Sequence, residues 1–159
     1  MTLFAAPSTR QLNTGLAILR AVAGVVFIAH GAQKLFVFGV DGVTAGFAGM
    51  GIPLAGIAAP LVALTEFGGG LALLVGLGTR PVAAALGAVM AGAMLFVHLP
   101  AGFFLPNGYE FVLTLLGIAT LFALVGGGAY SVDALVAQRT GEVADVPATR
   151  PVAGARRAA

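Results

Sequence analysis

Six polar or charged side chains lie within otherwise apolar stretches of this chain, and they are the residues that could support chemistry. They are Arg20, His30, Lys34, Glu66, His98 and Glu110. Imidazole and carboxylate groups can exchange protons with a bound molecule near neutral pH. A charged group in a long apolar helix is costly and usually faces the interior of a helix bundle or a wet cavity. The six residues therefore predict an internal polar site.

The segment 16–36 shows how part of such a site can be built into one helix. The segment is long enough to cross the ~30 Å hydrocarbon core of a bilayer. On a helical wheel one face is apolar, while the other is polar and notched by glycines. The polar stripe consists of Arg20, Gly24, Phe27, Gly31 and Lys34, with His30 on its flank. Other helices must supply partners for this face, and Glu66, His98 and Glu110 are the candidates.

The composition identifies the elements that position these residues. Of the 159 residues, 59% are hydrophobic and 9% are charged, and the mean hydropathy is +1.03. Soluble domains carry about 25% charged residues, so we predict an all-α integral membrane four-helix bundle with short interfacial helices. The chain has no cysteine, which excludes disulfides, thiol redox chemistry, iron–sulfur clusters and thiolate metal sites. Its basic tail has no interleaved aromatic residues, so no nucleic-acid partner is predicted.

Glycine, proline and charge positions divide the chain into a membrane domain, 14–136, and two polar ends. Residues 1–13 form a predicted cytoplasmic lead, and residues 137–159 form a predicted disordered cytoplasmic tail. The four predicted transmembrane helices cover about 14–36, 54–78, 82–99 and 109–125. Short interfacial helices are predicted within 37–53 and at 130–136, the first from the helical spacing of Val43, Phe47 and Met50.

Loop charges predict the orientation of the bundle. Four spans place both termini and the turn 78–81 on one side, which carries Arg10, Arg80 and Arg139. By the positive-inside rule, this side is cytoplasmic. A competing interpretation is a cleaved signal peptide, because Arg20 precedes the apolar run 21–29 and small residues that imitate a cleavage site. Cleavage there would discard the helix that carries the polar stripe.

Helix depth separates the polar residues into two groups. At ~1.5 Å per residue, Arg20 and Glu66 are predicted to lie deep in the bundle. The other four, His30, Lys34, His98 and Glu110, are predicted near its outer mouth. The deep residues predict a buried ion pair between the first two helices, or two groups that position a ligand. The glycines 68–70 beside Glu66 indicate close helix packing or room for a flat ligand.

The outer-mouth residues leave four interpretations open. His30 and His98, at matched depth, could be the axial ligands of a haem. The same histidines with Glu110 could bind a divalent metal. All four residues could bind the polar head of a hydrophobic molecule such as a quinone. Plain hydrogen bonds between helices would satisfy the side chains without a ligand. We adopt ligand binding by His30, Lys34, His98 and Glu110, without a metal, as the hypothesis.

With these residues in place, the chain resembles the DoxX family of small four-helix bacterial membrane proteins. The resemblance covers roughly residues 14–135 and is most specific in the first helix. It rests on R-x3-G-x2-F-x2-H-G-x2-K from Arg20 to Lys34, Gly51-Ile52-Pro53, Glu66-x-Gly-Gly-Gly, the turn 76–80, His98 and Asn107-Gly-x-Glu110. It implies the bacterial inner membrane and a redox context, since family members are associated with quinone-coupled thiosulfate oxidation, quinone detoxification and oxidative-stress defence. It does not define a reaction.

The sequence and the resemblance together lead to one main hypothesis. The protein is expected to be an accessory component of a quinone-linked redox or quinone-detoxification system, binding a quinone-like molecule near the outer face of the bundle. The alternatives are a non-enzymatic binder or carrier of a small hydrophobic molecule, and a structural membrane subunit. No cofactor is certain, and a quinone is the candidate. The expected partners are the lipid bilayer, a hydrophobic small molecule, and membrane or redox proteins.

Overall fold

The computed structural model describes residues 6–141, and this part of the chain is helical without a β-strand. The α-helices are Thr9–Ala32 (α1), Gly39–Gly49 (α2), Ala55–Val75 (α3), Thr79–Ala93 (α4), Glu110–Val125 (α5) and Val132–Thr140 (α6). A π-helical turn at Gln33–Val37 extends α1, and a second at Met94–His98 extends α4 into a short 3-10 turn, Leu99–Ala101. The predicted all-α membrane bundle is confirmed.

Three helical stretches are long and apolar enough to cross a membrane, namely Thr9–Val37, Ala55–Val75 and Thr79–Ala101. The helix Glu110–Val125 is apolar but shorter, and at ~1.5 Å per residue it spans roughly 24 Å. The connection predicted to hold a short helix between the first two spans contains α2.

The first helix begins earlier than its apolar pattern suggested because polar residues cap it. Ser8 Oγ accepts a hydrogen bond from the Gln11 backbone N–H at 3.3 Å, and Gln11 Oε1 accepts one from the Ser8 N–H at 2.8 Å. This reciprocal capping box satisfies amides that the helix itself leaves unpaired. As a result α1 begins at Thr9, inside the predicted lead 1–13, of which residues 1–5 lie outside the described part.

Glycines allow α1 and α3 to pack antiparallel at close range. A Cβ added at Gly31 would come within 2.7 Å of the Phe67 Cα, and one at Gly70 within 2.7 Å of the Ile28 backbone nitrogen. Neither position has room for a side chain, so the two helix backbones are in direct contact. Small residues permit this close approach in membrane proteins.

The other principal helix pair is α4 with α5, which pack through apolar side chains. Contacts are most extensive within the pairs α1–α3 and α4–α5. Leu86 of α4 and Phe122 of α5 are fully buried. The core that joins the pairs contains Ala23, Phe27, Leu73, Ala83, Leu86, Met90, Val112, Leu115 and Phe122. The bundle therefore consists of two antiparallel helix pairs that share one core.

At one end of the bundle, α1 is bonded to the loop after α5, and α6 is bonded to the residue that follows α3. The Ala129 N–H donates to Asn13 Oδ1 at 2.9 Å, and the Asp133 N–H donates to the Gly76 carbonyl at 2.9 Å. We call this end, formed by residues 13–20, 76–80 and 126–133, the closed end.

The predicted tail begins inside a helix. Residues 137–140, which the sequence assigned to the tail, belong to α6, while residues 142–159 lie outside the described part.

Candidate ligand-binding site

Arg20 is a buried anchor of the closed end, with 5% of its surface exposed. Its Nη1 donates to the Gly127 carbonyl at 2.7 Å, and its Nη2 donates to the Tyr130 carbonyl at 2.6 Å. Such charge-assisted hydrogen bonds are roughly twice as strong as neutral ones. Arg20 therefore ties α1 to the loop between α5 and α6.

The predicted ion pair between Arg20 and Glu66 is wrong. Arg20 lies against Gly76, which is about ten residues along α3 from Glu66, or roughly 15 Å at ~1.5 Å per residue. That separation exceeds the reach of the two side chains. The prediction placed Arg20 and Glu66 at compatible depths, but the antiparallel register of α1 and α3 brings Glu66 opposite the far end of α1.

Asp133 caps α4 from a different helix, and the sequence analysis missed it. Its Oδ1 accepts from the Gly78 N–H at 2.6 Å, and its Oδ2 accepts from the Thr79 N–H at 2.8 Å. Burial raises the pKa of Asp133, but these amide hydrogen bonds and the nearby charge of Arg20 outweigh burial and hold that pKa below its usual range. Ser131 before Asp133 is a recognisable helix-start signal, yet nothing local predicts a cap on another helix.

Glu66 forms its ion pair with Lys34. Glu66 Oε2 accepts a hydrogen bond from Lys34 Nζ, and the side chains are 4% and 19% exposed, respectively. Pairing offsets the cost of placing each charge in an apolar surrounding. The second oxygen of Glu66, Oε1, has no partner among residues 6–141 and is not among their fully buried unpaired atoms. Oε1 therefore retains its capacity to accept a hydrogen bond.

Lys34 and His98 each lie in a π-helical turn, at the end of the bundle away from the closed end. A π turn inserts one extra residue into a helix and frequently marks a functional site. Lys34 follows α1 directly, and His98 ends the turn that follows α4. The residue types of these turns carry no signal for π geometry, so the sequence did not predict it.

A cavity of about 860 Å³ lies between the two helix pairs. Its ionisable lining residues are His30, Lys34, Glu66 and His98, and Thr65 adds a hydroxyl. The rest of the lining is mainly apolar and includes Phe27, Leu61, Met90, Phe96, Phe111, Val112 and Leu115. Leu61 and Phe96 are also 61% and 52% exposed, so part of the cavity wall is open to the outside of the bundle.

The two histidines of the cavity differ in how firmly they are held. His98 Nδ1 lies 2.9 Å from the Asn107 carbonyl oxygen, which fixes the orientation of the ring. The His30 ring lies beside the Phe111 ring, with 5.9 Å between centroids and a tilt of 41°. No residue within 6–141 forms a hydrogen bond with the His30 nitrogens, so they retain their hydrogen-bonding capacity for a molecule in the cavity.

Glu110, the fourth residue of the predicted ligand cluster, is not among the residues that line the cavity. Its Oε1 accepts a hydrogen bond from the Leu105 N–H at 2.8 Å. It also lies in the first turn of α5, where a negative charge is favourable to the helix dipole. Because Leu105 lines the cavity, Glu110 contributes to the cavity wall only through its bond to the Leu105 backbone. The carboxylate that does line the cavity is that of Glu66.

The described residues do not assemble the metal site that remained open from the sequence. Within residues 6–141, no group of three His, Cys, Asp or Glu side chains is placed to hold a metal ion. Glu110, which the sequence offers as a metal ligand beside His30 and His98, instead accepts a hydrogen bond from the Leu105 N–H.

The family model found by comparison with known proteins covers the four ionisable residues of the cavity. Residues 15–99 match the family model described as DoxX. Inner membrane protein YqjF of Escherichia coli (strain K12) is 37% identical over 128 residues, which cover 78% of this chain and 93% of YqjF. The Bacillus subtilis (strain 168) protein named "Putative oxidoreductase CatD" is 29% identical over 127 residues, or 80% of this chain and 90% of CatD. No solved structure matches significantly.

Proposed function

Because this chain belongs to the DoxX family of membrane proteins, we propose that it binds a quinone-like hydrophobic molecule in the cavity between its helix pairs. In this proposal the protein is an accessory component of a quinone-linked redox or quinone-detoxification system of the bacterial inner membrane. The observation that carries the proposal is the cavity itself, an apolar chamber whose few ionisable groups include an ion pair and two histidines.

The size and the walls of the cavity suit such a ligand. Binding sites for small organic molecules usually measure about 300–1,000 Å³ and combine apolar walls with a few polar groups. The cavity volume of about 860 Å³ lies within that range. Phe27, Phe96 and Phe111 offer aromatic surface to a flat ring, and the exposed Leu61 borders the side through which an apolar tail can extend into lipid.

The ionisable residues supply the hydrogen bonds that orient the polar end of the ligand. Lys34 can donate to an oxygen of the ligand while it remains paired with Glu66, because an ammonium group has three N–H donors. His30 and His98 can exchange protons with that oxygen near neutral pH. Glu110 acts indirectly, since it holds the Leu105 backbone in the cavity wall.

The redox context is supported by the name of a relative, CatD, which describes that protein as an oxidoreductase. The inner-membrane setting is supported by the name of YqjF. Arg80 belongs to the closed end, Arg10 precedes it in the first turn of α1, and Arg139 follows it in the last turn of α6. We therefore extend the proposal to the orientation, with both termini in the cytoplasm.

The proposal is tested by identifying what the protein carries and by filling the cavity. Mass spectrometry of small molecules that co-purify with the full chain should detect a quinone. Gly92 lines the cavity, and a Cβ there meets nothing within 4 Å, so Gly92→Leu should fold and exclude the ligand. The matched control is Gly117→Leu, which also has open space around the Cβ but lies away from the cavity.

The possible results separate the proposed function from its alternatives. A co-purified quinone that is lost in Gly92→Leu and retained in Gly117→Leu supports the proposal. A lipid or another apolar compound in place of the quinone would favour a carrier or binder. Absence of any bound molecule, with no thermal stabilisation by an added short-chain quinone, would leave a structural subunit.

A further inference from the structure

The hydrogen bond of His98 determines which kind of group this side chain offers to the cavity. A carbonyl oxygen can only accept, so the contact between His98 Nδ1 and the Asn107 carbonyl at 2.9 Å assigns the proton to Nδ1. In a neutral imidazole the other nitrogen is then an acceptor. His98 Nε2 has no partner among the described residues, and it is the nitrogen left for a molecule in the cavity.

Glu66 adds a second acceptor to the same cavity. Its Oε2 is bonded to Lys34, and its Oε1 is neither paired nor fully buried within the described residues. As the partner of a lysine in an ion pair, the carboxylate is ionised, and an ionised carboxylate can only accept hydrogen bonds. Lys34 is the cationic donor beside it. The cavity therefore offers Lys34 as a donor, His30 as a group that can donate or accept, and two acceptor atoms without partners among the described residues, His98 Nε2 and Glu66 Oε1.

We propose that the cavity binds the reduced, dihydroxy form of a quinone-like ligand more tightly than the oxidised form. This inference rests on the proposed function. A quinone has two oxygens that only accept, so it can bond to Lys34 but leaves His98 Nε2 and Glu66 Oε1 without a donor. A quinol has hydroxyls that both donate and accept. It can satisfy the acceptors and Lys34 together. A quinone that covers these acceptors removes them from water without supplying a donor, and this weakens its binding.

Preferential binding of one redox form changes the potential of the bound couple. By thermodynamic linkage, the form that binds more tightly becomes more populated at a given potential. For a two-electron couple, a tenfold preference for the quinol raises the potential by about 30 mV. The bound quinone is therefore a stronger oxidant than the same quinone free in the membrane.

The test compares three ligands of nearly the same shape. The purified full chain in detergent is titrated calorimetrically under argon with duroquinone, with its quinol, and with the dimethyl ether of that quinol. The four ring methyl groups prevent addition of Lys34 to the ring, and the ether has the reduced aromatic ring without an O–H donor. At about pH 8 an ordinary imidazole is neutral. We expect the quinol to bind at least about tenfold more tightly than either of the other ligands.

The outcomes distinguish failure of this inference from failure of the proposed function. Binding of the quinone as tightly as the quinol overturns the preference and leaves the proposed function standing. Equal binding of the quinol and its ether also overturns the preference, because the ring rather than the hydroxyl would then be recognised. If none of the three ligands binds, both the inference and the proposed function are refuted.

Two matched variants assign the preference to its residue. His98→Phe should weaken quinol binding about tenfold and leave quinone binding nearly unchanged. His30→Phe removes the other cavity imidazole, whose proton position is not fixed by a protein partner, so it should affect both forms alike. An unchanged preference in His98→Phe would overturn the role of Nε2. If His98→Phe fails to fold, the three-ligand comparison with the unmodified protein still decides.

Discussion

Lys34 and Glu66 should be strongly coupled in the stability of the bundle, because each charge depends on the other for its only ionic partner among the described residues. The perturbation is a double-mutant cycle of Lys34→Met, Glu66→Met and the double variant, which replaces the pair with unbranched apolar side chains. Each single variant leaves one charge without its partner inside the bundle. The double variant leaves no charge to compensate.

The expected magnitudes follow from the burial of the two groups. Removing one partner of a buried ion pair costs about 3–5 kcal/mol. The Glu66 side chain is 4% exposed and that of Lys34 is 19% exposed, so an orphaned Lys34 can extend toward the interface more easily. We expect about 4–5 kcal/mol for Lys34→Met and about 2–3 kcal/mol for Glu66→Met. The double variant should remain within about 1 kcal/mol of the unmodified protein, because apolar replacement of a buried pair is often neutral.

The assay is reversible unfolding in mixed detergent and SDS micelles, followed by circular dichroism at neutral pH. The control is a second cycle, with Arg20→Met and Glu66→Met. These two residues are separated by roughly 15 Å along the helix pair, so their effects should add within about 0.5 kcal/mol. Additive effects for Lys34 and Glu66, or a coupling of several kcal/mol for Arg20 and Glu66, would refute the helix register on which the site is built.

Three further predictions test the packing, the closed end and the orientation. Gly31→Ala should destabilise the protein by about 1–3 kcal/mol, because the added Cβ meets the Phe67 backbone. The control Gly68→Ala has open space around the Cβ and should be neutral or stabilising by up to about 1 kcal/mol. Equal melting temperatures of the two variants would contradict the close contact. Asp133→Asn should cost about 1 kcal/mol at neutral pH. Because the pKa of Asp133 is lowered, the stabilisation by its carboxylate is present above the ordinary aspartate pKa of about 3.9 and is lost as the pH falls below it. A difference in stability between the unmodified protein and Asp133→Asn that persists in acid would contradict the cap. A C-terminal alkaline phosphatase fusion should be inactive and a green fluorescent protein fusion bright, and the reverse pattern would overturn the cytoplasmic assignment of the termini.

The helical architecture could be predicted, because the composition and the length of apolar segments identify membrane helices. The apolar runs, the turn at Gly76 and Gly78 and the break at residues 100–108 have local causes. The observed start of α1 differs from the predicted one, because the capping box at Ser8 extends the helix beyond its apolar pattern. Burial of Arg20 and Glu66 also followed from the pattern, since a charge in an apolar helix turns inward.

The pairing of the polar residues could not be predicted, because it depends on the register between helices. The sequence predicts Lys34 near the outer mouth without a partner, whereas the helix register set by close packing at Gly31 pairs it with Glu66. The two terminal nitrogens of Arg20 donate to backbone carbonyls of residues 127 and 130, and backbone carbonyls carry no sequence signal. Glu110 was selected as a ligand-binding carboxylate, whereas its partner is the amide of Leu105.

The closed end has a mechanical consequence for the rest of the bundle. Arg20 and Asp133 join α1, α4, α6 and the loop after α5 through hydrogen bonds at one extremity only. The chain crosses from α3 to α4 there through Gly76 and Gly78, both with positive φ. These hydrogen bonds hold the two helix pairs together at the closed end, in addition to the apolar core that the pairs share. Because rotation about a fixed end displaces the opposite end most, any rotation of one pair against the other would change the cavity end most and leave the hydrogen bonds of the closed end in place.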